Sequence, residues 1–153
     1  MAISRHRATG FYWLLIGLLL LAVNRGAAVE RYLRIAAPVA VAAGQPFDVI
    51  LAVGTDAGQG EQVGFLQADM SVDGGKVWTP VCYLTNLGAS SRQAQSLKPG
   101  PTGSTVRLRV RAAFRGGLAG DVDFSGAALR WHDTWADWAE PPARTATITV
   151  KAP

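Results

Sequence analysis

The sequence has few of the residues on which catalytic and metal sites are commonly built. Its 153 residues include one cysteine, Cys82, and two histidines. A single cysteine allows no disulfide within the chain, and its strand-forming neighbours predict a small buried thiol. No serine lies in a Gly-x-Ser-x-Gly turn that would expose a nucleophile. We therefore expect a protein that is not an enzyme and has no metal or cofactor, with a small hydrolase as the least favoured alternative.

Charge is absent from one stretch near the N-terminus. Residues 1–10 carry two arginines and no acid, residues 11–23 carry no charge at all, and small residues lead to Ala28. A basic start, a short apolar core and a small-residue cut site are typical of a secretory signal. A membrane-spanning helix would need about 20 apolar residues. We predict that residues 1–28 are a cleaved signal peptide, with an uncleaved N-terminal anchor as the alternative. Residues 29–153 are then one exported domain, periplasmic or extracellular, without a membrane span after cleavage.

The excess of positive charge is small once the predicted signal is removed. The whole chain has 15 basic and 11 acidic residues, a formal net charge of +4. Arg5, Arg7 and Arg25 lie in the signal, which contains no acid, so 12 basic and 11 acidic residues remain and the net charge falls to +1. A nearly neutral domain gives no reason to expect a nucleic-acid partner.

Alternating apolar and polar residues are the main structural pattern of the remaining chain. The clearest example is 106–114, where apolar residues alternate with arginines. Short alternating runs with turn residues between them predict strands, and strands without helices between them predict two packed antiparallel sheets. The expected fold is an all-β immunoglobulin-like sandwich of about seven or eight strands. The predicted strands cover residues 32–36, 47–53, 65–72, 77–84, 93–97, 106–114, 121–131 and 144–151.

The sequence also predicts the pairing register of the hairpin that follows residue 114. If Arg115 lies opposite Asp121 across the Gly-rich loop, then Phe114 faces Val122 in the core. In this register Asp121 pairs with Arg115 on the solvent side. A bulge at residues 125–126 would return the later apolar side chains to the core, since glycine is common at bulges.

One turn carries a recognisable motif. The run Ser71-Val-Asp73-Gly74-Gly75-Lys-Val-Trp78 resembles the Asp-box of sialidase-type propellers, with valine where that motif has threonine. It also resembles the Asp-Gly-Gly-x-x-Trp hairpins of bacterial immunoglobulin-like and fibronectin-III-like domains. A propeller would need one box per blade, so a single box favours the immunoglobulin-like domain. The resemblance implies a structural turn in which Asp73 accepts backbone hydrogen bonds and Trp78 packs over the hairpin.

Three tryptophans close together form the first candidate binding site. Trp131, Trp135 and Trp138 have the spacing that aligns side chains on one face of a helix. One interpretation is that the indoles plug an open end of the sandwich. The other is an exposed platform for a sugar ring or a hydrophobic partner, with Asp133 and Asp137 at its rim.

A row of arginines forms the second candidate site. Arg107, Arg109 and Arg111 share one face of the predicted strand, and Arg115 follows. We expect a solvated outer face. The alternative is contact with an anionic glycan, a phosphate or an acidic partner.

These observations favour an exported, non-catalytic β-sandwich that binds a partner or contributes to an envelope assembly. The partner would be a protein or a glycan of the cell envelope. A carbohydrate-binding module that uses the tryptophans is the main alternative. The ligand and the oligomeric state do not follow from the residues.

Overall fold

The described part of the chain is residues 28–131 and 138–153 of a computed structural model. The predicted signal segment lies outside these residues, apart from Ala28. Among the described residues there is no helix that could cross a membrane.

Nine strands and no helix make up the described residues. The strands form where the sequence alternates between apolar and polar side chains, because a pleated strand turns successive side chains to opposite faces. They are β1 (Arg31–Ala36), β2 (Ala40–Ala42), β3 (Phe47–Thr55), β4 (Gln62–Ser71), β5 (Thr79–Thr85), β6 (Ser90–Leu97), β7 (Thr105–Gly117), β8 (Gly120–Val122) and β9 (Arg144–Lys151).

The strands form two sheets. The smaller sheet has the order β1-β3-β6, and the larger has the order β2-β9-β7-β4-β5, with β8 paired to β7. All of these pairs are antiparallel except β2 with β9, which is parallel. β1, β3 and β6 occupy the positions of strands A, B and E of immunoglobulin-like sandwiches, and β4, β7 and β9 those of C, F and G. The predicted all-β, two-sheet immunoglobulin-like sandwich is therefore confirmed.

The core lies between the two sheets. Alternate residues of β3, from Val49 to Val53, and of β7, from Val106 to Phe114, are fully buried there, as the sequence pattern predicts. Each fully buried aliphatic side chain of this kind stabilises the fold by about 1.5–3 kcal/mol. The polar faces of the same strands point away from the core, so the outer face of the larger sheet carries the arginines of β7.

The predicted strand over residues 121–131 is wrong. Phe114 lies opposite Val122 as expected, but the register shifts between Phe114 and Gly117. The pairing of Arg115 with Asp121 is therefore not formed, and β8 ends at Val122. The chain reverses direction at residues 123–127 and returns beside β8, where Val122 bridges Ala128, in place of the predicted bulge at 125–126.

Asp123 causes this turn. It is buried, and its Oδ1 accepts hydrogen bonds from the backbone N–H of Ser125 at 2.7 Å and of Ala127 at 3.1 Å. Gly126 has a φ of 86°, which glycine adopts without strain. An aspartate that bonds to the following backbone groups competes with the strand ladder. The chain that follows reaches the outer face of the larger sheet, where Trp131 and Trp138 lie.

Candidate functional site

The predicted arginine row and two of the predicted tryptophans lie together on the outer face of the larger sheet. On β7, Arg107, Arg109 and Arg111 lie opposite Ser71, Asp69 and Gln67 of β4. The expectation that the row is a solvated face is wrong for Arg111, which is 0% exposed. Arg109 is half-buried, while Arg107 and Arg115 are exposed.

Arginine and tryptophan side chains stack against one another across this face. The guanidinium carbon of Arg109 lies 4.1 Å from the ring centroid of Trp78 and 4.1 Å from that of Trp138. The guanidinium carbon of Arg111 lies 4.3 Å from the Trp138 centroid. We call Trp78, Arg109, Trp138 and Arg111 the Trp–Arg ladder. Each such cation–π contact contributes about 0.5–2 kcal/mol, more where water is excluded.

Polar groups of β4 hold the arginines of the ladder in place. Arg109 Nη2 donates to Asp69 Oδ2 at 2.9 Å, and Arg111 Nε donates to Gln67 Oε1 at 3.1 Å. Arg111 Nη1 also donates to the backbone carbonyl of Glu140 at 3.2 Å. The ladder therefore attaches the chain around Trp138 and Glu140 to the sheet. Its two indole rings are already in contact with guanidinium groups, which makes it a poor platform for a sugar.

The turn between β4 and β5 places Trp78 in the ladder. Asp73 Oδ1 accepts hydrogen bonds from the backbone N–H groups of Lys76 and Val77, both at 3.0 Å, and from the Ser71 hydroxyl at 2.7 Å. The hydrogen bond from the Val77 N–H is the main reason that the pKa of Asp73 is lowered. These bonds shape the turn that precedes Trp78.

Two glycines complete the same turn. Gly74 and Gly75 have φ angles of 79° and 95°, a backbone conformation that disfavours side chains. Arg107 Nη1 donates to the Gly74 carbonyl at 2.9 Å. Arg107 is thus tied to the turn, although most of its side chain is exposed.

Trp131 lies at the other end of the face. Its ring packs edge-on against Phe65, with centroids 5.8 Å apart and planes at 74°. The Arg115 guanidinium carbon is 4.2 Å from its centroid. Gly64 makes room for the indole, because a Cβ at this position would lie 2.5 Å from Trp131 Cη2.

A half-open pocket of about 320 Å³ lies beside Trp131. Tyr83 forms its opposite side, stacks on Phe65 at 5.8 Å with planes at 19°, and is 48% exposed. Side-chain amides and a hydroxyl add donors and acceptors to this aromatic pocket. We call it the Trp131 pocket; it is lined by Gln62, Gly64, Tyr83, Thr85, Asn86, Arg115 and Trp131.

A larger groove of about 530 Å³ follows β1, bordered by the first residues of β9. Two of its arginines pair with carboxylates, Arg31 with Glu61 at 2.6 Å and Arg34 with Glu30 at 3.0 Å. The guanidinium carbon of the third, Arg144, lies 4.8 Å from the ring centroid of Phe124. Charged groups that already form ion pairs interact less strongly with a ligand. The groove therefore offers weaker polar contacts than the donors that line the Trp131 pocket.

Several predicted residues do not contribute to this geometry. Trp135, Asp133 and Asp137 lie outside the described residues, as does the helical spacing proposed for the tryptophans. Trp131 and Trp138 lie on the outer face of the sheet and are half-buried, so the structure does not place these two rings in a plug at the end of the sandwich.

Cys82 is half-buried on β5, and burial raises the pKa of its thiol.

Metal-ligating side chains do not converge in the described residues: no group of three or more His, Cys, Asp or Glu could hold an ion there.

The sequence analysis did not single out Tyr83, Asn86 and Gln62, which line the Trp131 pocket. A signal for Tyr83 was its exposed position on a strand that pairs with β4, but the pocket itself needs four segments of the chain to meet.

No family model and no curated protein matches this sequence. Among solved structures, the superoxide reductase (neelaredoxin) from Ignicoccus hospitalis is 14% identical over 81% of this chain and 84% of that chain, with a TM-score of 0.46. Murine CRIg is 8% identical over 81% of this chain and 98% of that chain, with a TM-score of 0.40.

One of these neighbours corrects a prediction. The superoxide reductase is an enzyme, which contradicts the expectation that this chain is not one. That expectation relied on the absence of familiar motifs, and we withdraw it. At 14% identity and a TM-score of 0.46, the comparison assigns no reaction to the chain.

Proposed function

We propose that the protein is exported and binds a glycan in the Trp131 pocket. The observation that carries this proposal is the convergence of an aromatic side chain that is half exposed, Tyr83, with two amides, Gln62 and Asn86, in one half-open pocket. Aromatic rings offer an apolar surface to the C–H face of a sugar, and amides both donate to and accept from its hydroxyls. Pockets of this composition are typical of small-ligand sites.

The Trp–Arg ladder is excluded as the glycan site, which leaves the Trp131 pocket. Both of its indoles contact guanidinium groups at 4.1–4.3 Å, so a sugar stacking there would have to displace a buried or half-buried arginine. The Trp131 pocket needs no such displacement, since it is already an open cavity. The proposed site is therefore one end of the outer face, with Tyr83 as the main stacking surface, in place of a platform of three tryptophans.

Glycan-array binding of the exported protein tests the proposal. We expect Tyr83→Ala to weaken binding by at least about tenfold, the effect usual for truncating a central aromatic contact. Val77→Ala is the matched control, because Val77 is exposed at 64% and lies outside the pocket. Binding that survives Tyr83→Ala, or the absence of any bound glycan, would show that the proposed function is wrong.

A further inference from the structure

We propose that the glycan bound in the Trp131 pocket is acidic and that Arg115 pairs with its carboxylate. This inference rests on the glycan-binding function proposed above and adds the chemical class of the ligand. The proposed ligand contains a uronic-acid residue, a sugar that carries one carboxylate on its ring.

The charge of the pocket is the first argument. Among the described residues that line the pocket, Arg115 carries the one charged side chain. The other six described lining residues supply aromatic rings, amides, hydroxyls and a glycine, and none of these six carries a negative charge. A half-enclosed cavity with one cation favours a ligand with one negative charge, because charges interact more strongly where water is partly excluded.

The state of Arg115 is the second argument. Within residues 28–131 and 138–153, the other arginines of the row each donate to an oxygen: Arg107 to Gly74, Arg109 to Asp69, Arg111 to Gln67. Arg115 instead lies over the Trp131 ring at 4.2 Å, and no carboxylate of the described residues pairs with it.

The geometry of a stacked guanidinium is the third argument. A guanidinium that lies on an indole keeps the N–H groups at its edge available, and their fork matches the two oxygens of a carboxylate. The ring contact also limits the freedom of the side chain, so less conformational entropy is lost when a ligand binds.

The neighbours of Arg115 complete the site. Gln62 lies directly opposite Arg115 in the β4–β7 ladder, and both side chains line the pocket. Asn86 has a φ of 56°, a conformation that asparagine tolerates better than most residues, and lines the same pocket. A uronic acid would place its carboxylate at Arg115 and its ring toward Tyr83, with the amides at its hydroxyls.

Calorimetry with pairs of oligosaccharides that differ only at the carboxylate tests the inference. The pairs are oligogalacturonate, oligomannuronate and a hyaluronan hexasaccharide, each compared with its methyl ester. We expect at least one acid form to bind about tenfold more tightly than its ester, and its affinity to fall as salt rises. Arg115→Gln should bring the two affinities together, and Arg115→Lys should keep part of the difference.

Arg92→Gln is the matched control, because it removes the same charge from an exposed position on β6, away from the pocket. It should leave the difference between acid and ester unchanged. If Arg115→Gln does not fold, the comparison of acid and ester on the wild-type protein still decides the question.

The two proposals fail in different ways. If esters bind as tightly as acids, or if no acid form binds while neutral glycans on the array do, the acidic-ligand inference is wrong and glycan binding stands. If neither these oligosaccharides nor any array glycan binds, both the glycan function and the inference are wrong.

Discussion

At the scale of single residues, the most tightly bound charge in the described chain is Glu61. Arg31 donates to its two carboxylate oxygens at 2.7 and 2.6 Å, and the Thr55 hydroxyl donates at 2.6 Å. The Glu61 side chain is 0% exposed. Burial alone would raise the pKa of Glu61, but the hydrogen bonds from Arg31 and Thr55 outweigh it, so that the pKa is lowered. This group joins β1, β3 and the start of β4.

We predict that Glu61→Gln lowers the free energy of unfolding by about 3 kcal/mol at neutral pH, because it leaves a largely buried arginine without its counter-charge. The pKa of Glu61 is depressed in the folded protein, so its contribution is present above the ordinary value of 4.5 and is lost as the pH falls through the folded pKa. Urea unfolding at several pH values should show the gap between wild type and variant narrowing in acid. The exposed Asp48→Asn should show no such gap; a gap that is constant with pH would contradict the prediction.

A second prediction concerns the glycine beneath Trp131. Gly64→Ala would place a methyl group 2.5 Å from Trp131 Cη2, closer than packed atoms approach. We expect a loss of about 1–3 kcal/mol, the usual effect of overpacking, and a change in tryptophan fluorescence. Combining it with Trp131→Phe removes the clashing part of the indole, so the double variant should lose less than the sum of the two single losses. Additive losses would mean that Gly64 does not seat the ring.

At the scale of secondary-structure elements, β7 connects the core with the candidate site. Its inner side chains, such as Leu108 and Val110, are buried against the smaller sheet. Its outer side chains include Arg109, which contacts both Trp78 and Trp138. The same strand therefore holds the sandwich together and attaches two distant connections, the β4–β5 turn and the chain before β9, to its outer face.

We predict that Arg109→Lys loosens this attachment, because an ammonium lacks the planar surface that stacks between the two rings. Acrylamide quenching of tryptophan fluorescence should increase, and the protein should lose about 1–2 kcal/mol of stability from its cation–π contacts. Arg92→Lys, at an exposed position on β6 in the other sheet, is the control. If acrylamide quenching increases equally in the variant and the control, the ladder does not hold the indoles.

At the scale of the whole molecule, the proposed export and the fold are compatible. β1 begins at Arg31, so a cut after Ala28 would leave every strand intact. The residues in between, Val29 and Glu30, are exposed. A cut after Ala28 would thus remove no residue of the nine strands in the described part of the chain.

We predict that mass spectrometry of the exported protein finds Val29 at the N-terminus, because small residues precede this position in the proposed cut site. Ala28→Arg should block cleavage and leave the protein membrane-associated. An exported protein that retains residues 1–28 in its wild-type form would instead support an uncleaved anchor.

The alternation of apolar and polar residues predicted the sandwich well, because a strand with one buried face has apolar side chains at every second position. The alternation from Val106 to Phe114 identified β7 and its core side, and residues 144–151 match β9. The hairpin after Phe114 was predicted correctly only as far as Val122. Beyond it, Asp123 bonds to its own backbone neighbours, and a short polar turn is not visible in a hydrophobic pattern.

By itself, the sequence determined the long strands, such as β3, β7 and β9, and which side of each enters the core, since both depend on the local period of side chains. Only the tertiary structure decided what covers the other side. Arg111 has the pattern of a solvent-facing residue, yet it is buried beneath Trp138, which is 27 positions away in the chain. The Trp131 pocket likewise forms from β4, β5 and β7 and the chain that follows β8, and contacts between such distant segments leave no periodic signal.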